Sequence, residues 1–198
     1  MLTSITPLGE RGRNSRWSVT VSAFVLGSSA AGALLGAGAG ALGALLDDLS
    51  TSSSARLLVL VGAVLIGAAL DLGLGGFRLP SVARQVNEDW MRSYRGWVYG
   101  VGFGVQLGLG VVTVVSTSAV YLTFLAAVLS GSLGLGALIG ATFGFGRAAV
   151  LFAVAGVNTP DRLLSLGRRL ARWRRPTALV AVSTQAVLAM LALAVVLV

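Results

Sequence analysis

Two charged residues interrupt long apolar runs of the sequence, and their types suit each other. Arg147 lies in the stretch GATFGFGRAAV and is the only charged residue between Arg95 and Asp161. Asp71 lies near the end of another apolar run. A guanidinium can hold a carboxylate through two parallel hydrogen bonds. Counted along predicted helices, the two residues have a similar depth in a bilayer, so an Asp71–Arg147 ion pair is predicted.

Three roles are open for this pair. It can simply fasten two helices together, or Arg147 can hold an anionic substrate or a lipid phosphate with Asp71 as gate or proton site. Alternatively, Arg147 extends its side chain toward the membrane interface. Polar side chains that could line a pathway beside the pair are Gln106, Thr113, Ser116, Thr117, Ser118, Thr142 and Gln185. Hydroxyl groups in membrane helices often bond their own backbone instead.

The rest of the sequence offers little chemistry. It contains no cysteine and no histidine, so disulfides, thiol redox reactions and metal or haem ligation by these residues are excluded for this chain alone. No nucleophile–base pair, metal cluster or paired carboxylate is visible, and only three methionines are present. We therefore expect no enzymatic activity, no cofactor and no metal site.

Composition and charge predict one all-α polytopic membrane domain over 1–198. Hydrophobic residues make up 56% of the 198 residues, and the net charge is +8. All fifteen basic residues are arginines, and most of them border apolar runs. Such clusters are typical of cytoplasmic loops in membrane proteins, so the expected partner is the lipid bilayer and no nucleic acid is expected.

Five transmembrane helices and two interfacial amphipathic helices are predicted. The third span is expected to be broken around 111–120, and a turn is expected near 130–132. Three crossings within 97–157 are the alternative. They would place the two arginine-rich connecting segments, 76–96 and 158–176, on opposite sides of the membrane, which the usual distribution of positive charge disfavours. The cell membrane is the predicted location, with the N-terminus in the cytoplasm and the C-terminus outside. The spans are about 17–46, 57–75, 97–129, 134–156 and 177–198, and the interfacial helices are about 80–95 and 160–175.

Glycines recur every four residues on three of the predicted spans. In lipid, helices associate through close backbone approach, and such a stripe of glycines permits it. Tight packing is the favoured interpretation, and hinge movement during transport is the alternative. The glycines concerned are Gly32, Gly36, Gly40, Gly100, Gly104, Gly108, Gly136, Gly140 and Gly144.

A weak internal echo occurs at an offset of about 79 residues, where the order acid, arginine, arginine and phenylalanine recurs. Transporter folds often contain such repeats. The matching sets are Glu10, Arg13, Arg16 and Phe24, followed by Asp89, Arg92, Arg95 and Phe103.

The order of these segments resembles the CcdA/DsbD membrane-domain family, within the broader group of LysE- and TauE-like exporters. The stretch AFVLGSSAAGALLGAGAGALG (23–43) is similar to the family's second helix, and 57–80 is similar to its third. Residues 97–146 resemble its fourth and fifth helices, and 177–198 take the place of its sixth. The family carries reducing equivalents through a cysteine pair on its first and fourth helices. This chain has neither cysteine, so the resemblance implies the fold and topology without the thiol chemistry.

These observations predict a non-catalytic integral membrane subunit, a scaffold or assembly partner related to CcdA-type proteins. Its partner would be another membrane protein or a second copy of the chain. The alternative is a small transporter or exporter of an anionic solute that uses Arg147.

Overall fold

The computed structural model describes residues 5–46, 53–73, 93–110 and 118–168. Within these ranges all regular secondary structure is helical and no strand occurs. The helices are α1 (Pro7–Gly12), α2 (Trp17–Leu46), α3 (Ser53–Asp71), α4 (Gly96–Gly108), α5 (Ala119–Leu129) and α6 (Leu133–Ala149), which continues into a 3-10 turn at Val150–Val154. A further helix, α7, is described over 160–168.

Three of these segments are long and apolar enough to cross a membrane. They are Trp17–Leu46, Ser54–Asp71 and Leu133–Val154. The prediction of an all-helical fold is confirmed for the described residues, and the three candidate spans are consistent with a membrane protein, whereas the count of five spans stays a prediction. The predicted last span, 177–198, and the predicted interfacial helix 80–95 lie outside or almost outside the described residues.

Helix α2 is the centre of the bundle, and the glycine positions show how its neighbours run. Along α6, Gly136 faces Gly36 and Gly140 faces Gly32, so α6 is antiparallel to α2. Along α4, Gly104 faces Phe24 and Gly108 faces Ser28, as expected for a parallel neighbour. The absence of side chains at these glycines lets the helix backbones touch, which is the contact that stabilises helix pairs in lipid.

Helices α4 and α5 form one interrupted path along α2. The end of α4 faces Ser28, and the end of α5 lies farther along, where the Val128 carbonyl meets Gly43. With 13 and 11 residues, each helix is about 16–20 Å long and too short to cross a core of about 30 Å. Gly110 has a φ of +66°, a left-handed conformation that ends a helix and favours glycine. We call the stretch between the end of α4 and the start of α5 the interruption; because its residues 111–117 lie outside the described part of the chain, the break predicted around 111–120 stays a prediction.

A tight turn joins α5 to α6, at the position expected from the SGS stretch. Gly131 has a φ of +55°, which glycine adopts at little cost. The Ser132 hydroxyl then accepts a hydrogen bond from the Leu135 N–H at 3.4 Å and caps α6. The turn sends α6 back along α2.

The chain segment before α2 packs against the segment after α6. Ile5 is fully buried together with Val154 and Val157, and the Leu8 N–H donates to the Val157 carbonyl at 3.2 Å. Helix α7 is amphipathic over its described part, because its leucines at 163 and 166 pack on this core while its arginines are exposed. The starts of α2 and α4, the end of α6 and α7 therefore share one end of the bundle, which we call the arginine-rich end.

Candidate functional site

Asp71 caps the first turn of α5. It is the last residue of α3, and its carboxylate accepts hydrogen bonds from the Ser118 N–H and the Ser118 hydroxyl, both at 2.8 Å. Ser118 directly precedes α5 and is buried. The N-terminal end of a helix carries partial positive charge and unsatisfied N–H groups, so a carboxylate is favourable here. Glycine at Gly67 lets α3 approach, since an added Cβ would meet the Ser118 hydroxyl at 2.7 Å.

Arg147 performs the opposite task at the end of α4. Its Nη1 donates to the Leu107 carbonyl oxygen at 2.9 Å, and its guanidinium lies over the Phe143 ring at 5.4 Å from the centroid. Carbonyls in the last turn of a helix lack intrahelical donors and carry partial negative charge. The Leu107 carbonyl also accepts a hydrogen bond from the Gly110 N–H at 3.1 Å, so the arginine adds a further donor and a positive charge at this helix end.

In a bilayer whose hydrocarbon core began at Trp17, the interruption would lie near the middle of that core. Gly108 and Gly144 both face Ser28 of α2, whose fully buried hydroxyl donates to the Gly144 carbonyl at 2.7 Å. Ser28 is eleven residues beyond Trp17, the first residue of α2. That is about 17 Å along the helix, close to half the thickness of a hydrocarbon core.

The two charges predicted to pair therefore lie at the same interruption, each with a described partner of its own. Asp71 holds the start of α5, and Arg147 holds the end of α4. Within the described residues the recorded ion pair is Arg13–Glu10, at 2.6 Å. A direct Asp71–Arg147 pair stays a prediction.

The predicted polar pathway is described only in part. Gln106 is half-buried on α4, and Thr142 is exposed and donates to the Leu138 carbonyl of its own helix at 2.8 Å. A gap of about 10 Å³ lies between α2, α5 and α6, bordered by Thr123 and Phe124. A space of this size holds about one water molecule and no organic solute. Thr113, Ser116, Thr117 and Gln185 lie outside the described residues.

The nine predicted packing glycines all face the backbone or a short side chain of a neighbouring helix. An added Cβ would overlap an atom across the interface at each of them, most often a carbonyl oxygen. On α2 these positions are Gly32, Gly36 and Gly40, and the partners are on α6 or at the turn before it. Larger residues at these positions would force the helices apart.

A second polar cluster, which sequence reasoning missed, surrounds Glu10 at the arginine-rich end. Glu10 is fully buried. Its carboxylate accepts hydrogen bonds from the Tyr99 hydroxyl at 2.6 Å, the Thr20 hydroxyl at 2.8 Å and the Arg13 guanidinium at 2.6 Å. A buried carboxylate is tolerated when its oxygens are fully bonded and its charge is balanced. The cluster ties α1 to α2 and α4.

The same cluster affects Arg13. Burial alone would lower the pKa of Arg13, but its hydrogen bonds to Glu10 and Tyr99 and the nearby negative charge raise this pKa above its ordinary value. Arg13 therefore stays charged at every pH at which the protein is handled. The i, i+3 spacing of Glu10 and Arg13, together with their echo later in the chain, was the available signal for this cluster.

Comparison with known proteins finds relatives that are named methylamine utilization protein MauF. The sequence is 33% identical to methylamine utilization protein MauF of Paracoccus versutus over 152 residues, which are 73% of this chain and 54% of that protein. It is 35% identical to MauF of Methylorubrum extorquens over 129 residues, 64% of this chain and 41% of that one. With MauF of Paracoccus denitrificans it shares 32% over 162 residues, 80% of this chain and 58% of the relative. The chain thus spans about half the length of the curated relatives it matches.

These relatives correct the resemblance drawn from the sequence. No family model matches the chain, and no solved structure matches it. The assignment to the CcdA/DsbD family was wrong, because the relatives are named MauF. Runs rich in glycine, alanine and leucine satisfy the packing needs of membrane helices in general, so their order alone does not distinguish one membrane family from another.

Proposed function

We propose that this chain is a non-catalytic integral membrane subunit that serves methylamine utilization as an accessory protein. The proposal rests first on its similarity to the MauF proteins, whose name assigns them to that process. It rests also on three segments of the chain that are long and apolar enough to span a membrane. The arginine-rich end would face the cytoplasm, in keeping with the distribution of positive charge.

The observation that favours a structural subunit over an exporter is the chemistry of the interruption between α4 and α5. In transporters with broken helices, the free helix ends are where substrates and ions bind. Here the protein's own charges already bind them, since Asp71 caps α5 and Arg147 bonds the end of α4. This arrangement favours a permanently fixed bend over a site that fills and empties.

The exporter hypothesis depends on Arg147 exchanging its bond to Leu107 for an anionic solute. The gap beside Thr123 and Phe124, about 10 Å³ in volume, is too small for such a solute. The exporter therefore stays the alternative, and it predicts that Arg147→Lys, which keeps the charge, preserves anion flux into proteoliposomes.

A growth experiment tests the proposed function. The chain is expressed in a Paracoccus versutus strain from which MauF has been deleted, and growth on methylamine is compared with growth on succinate. Restored growth on methylamine alone is the expected result. Failure to restore growth, with the chain present in the membrane fraction at normal abundance, would contradict the assignment to this process.

A second experiment tests the role as a subunit. The chain is isolated in a mild detergent from methylamine-grown and succinate-grown cells, and the composition of the purified particle is measured. A stoichiometric protein partner in methylamine-grown cells is expected. A monodisperse particle that contains only this chain under both conditions would contradict a subunit role.

A further inference from the structure

The arginine-rich end carries an excess of exposed positive charge. Its described charged residues are Arg11, Arg13, Arg16, Arg95, Arg162 and Arg168, with the acids Glu10 and Asp161. Glu10 is buried and paired with the partly exposed Arg13, so the two together add no net charge to the surface. Five exposed arginines therefore stand against one exposed acid, Asp161. Such an excess attracts anions from the surrounding medium.

Several of these arginines lie on one surface. Gly96, beside Arg95, is so close to Ser15, beside Arg16, that an added Cβ would meet the Ser15 side chain at 3.3 Å. The Leu8–Val157 hydrogen bond brings α1, with its exposed Arg11, against the segment that leads into α7. The charges converge although they are distant in sequence.

Aromatic residues mark this surface as the level of the lipid headgroups. Trp97 and Tyr94 are each 54% exposed, and they flank Arg95 in the sequence. Tryptophan and tyrosine favour the interface between hydrocarbon and water, where their rings are apolar and their N–H or O–H groups meet headgroups. The amphipathic α7 lies at the same end, with Leu163 and Leu166 inward.

We propose that the arginine-rich end binds the phosphate groups of anionic phospholipids, with Arg16 and Arg95 as the central contacts beside Trp97. Guanidinium groups bind phosphate oxygens through paired, charge-assisted hydrogen bonds. Cytoplasmic membrane leaflets supply such headgroups at the depth of the aromatic residues. The proposal requires membrane insertion and does not depend on the role in methylamine utilization. A lipid is favoured over an acidic protein because the aromatic residues and the amphipathic helix share the surface.

The test uses the full chain with Trp97 as its single tryptophan, the other three being replaced by phenylalanine. It is reconstituted into bilayers that contain dibrominated phosphatidylcholine or dibrominated phosphatidylglycerol, whose bromines quench nearby tryptophan. The quenching gives the binding of phosphatidylglycerol relative to phosphatidylcholine. Each arginine near an anionic surface contributes about a fivefold increase in binding. We expect a preference for phosphatidylglycerol of at least about fivefold at low salt, which weakens as ionic strength rises.

The variant Arg16→Gln/Arg95→Gln should lose most of this preference. Arg56→Gln is the control, because it removes one charge from the first turns of α3, at the opposite end of α2, and should leave the preference unchanged. Arg16→Gln alone gives the same comparison if the double variant fails to fold, with a loss of about fivefold expected. Quenching by brominated phosphatidylcholine shows in each case that the variant is inserted.

Three outcomes would overturn the inference. Equal quenching by both lipids in the chain that keeps all its arginines would show no lipid preference and would favour an acidic protein as the partner. A preference that survives the double variant would place the lipid site elsewhere. Loss of the preference on addition of millimolar inorganic phosphate at constant ionic strength would show a site for free phosphate instead of a lipid.

Discussion

An alanine at Gly36 and an alanine at Gly38 should have opposite effects on stability. Both positions lie on α2, two residues apart. A Cβ at Gly36 would overlap the carbonyl oxygen of Gly136 and lie 3.0 Å from the Gly140 Cα, whereas a Cβ at Gly38 meets no atom within 4 Å. The two substitutions change helix propensity equally, by about 0.5–1 kcal/mol in favour of alanine. The difference between their free energies of unfolding therefore measures the cost of placing a methyl group in the interface between α2 and α6.

The size of that cost follows from ordinary contact distances. Carbon atoms pack at roughly 3.5–4 Å, so α2 and α6 must separate by about 1 Å to admit the new methyl group. Overpacking of this kind costs about 1–3 kcal/mol. After the gain in propensity, Gly36→Ala should lower the free energy of unfolding by about 0.5–2 kcal/mol. Gly38→Ala should leave it unchanged or raise it by up to about 1 kcal/mol.

Reversible unfolding in mixed micelles of increasing SDS content measures both variants. A second pair repeats the comparison on α6, because a Cβ at Gly140 overlaps the Gly32 carbonyl oxygen while a Cβ at Gly146 meets nothing. If the members of each pair fall within about 0.5 kcal/mol of each other, close backbone contact at these glycines is not what stabilises the bundle, and the reasoning fails.

Four further substitutions test the Glu10 cluster and the contacts at the interruption between α4 and α5. Tyr99→Phe removes a hydrogen bond to the buried carboxylate of Glu10 on α1 and should cost about 1.5–3 kcal/mol of unfolding free energy. Asp71→Asn and Ser118→Ala should be non-additive in a double-mutant cycle, with a coupling of about 0.6–1.7 kcal/mol; strict additivity would show that the two do not act together. Arg147→Leu should reduce the yield of folded protein, because the Leu107 carbonyl at the end of α4 loses one of its donors and keeps only backbone N–H groups such as that of Gly110, while normal yield with lost anion flux would favour the exporter.

The sequence predicts those features that follow from position along the chain alone, such as where a helix lies or how deep a residue sits in the membrane. The apolar runs, the glycine periodicity and the turn at 130–132 are of this kind, whereas the break predicted around 111–120 falls mostly outside the described residues. The depth of Asp71 and Arg147 also follows from counting residues. Which groups these charges contact depends on the rotation and placement of each helix, and counting along one helix leaves that undetermined.

The cluster around Glu10 could not be predicted for a related reason. A short polar segment before the first span has no periodicity that distinguishes burial from exposure. Glu10 is buried because Tyr99, far along the chain, donates to it, and because Ile5 packs on residues after α6. Burial produced by distant partners leaves little trace in the local pattern.

The position of α1 has a consequence for the order in which the protein is assembled. Glu10 and Tyr99 are 89 residues apart, and the backbone bond from Leu8 to Val157 spans a still longer stretch. At synthesis rates of about 5–20 residues per second, Tyr99 leaves the ribosome roughly 4–18 s after Glu10. Because α1 is synthesised before both Tyr99 and Val157, its contacts to them can form only after those later segments have been made.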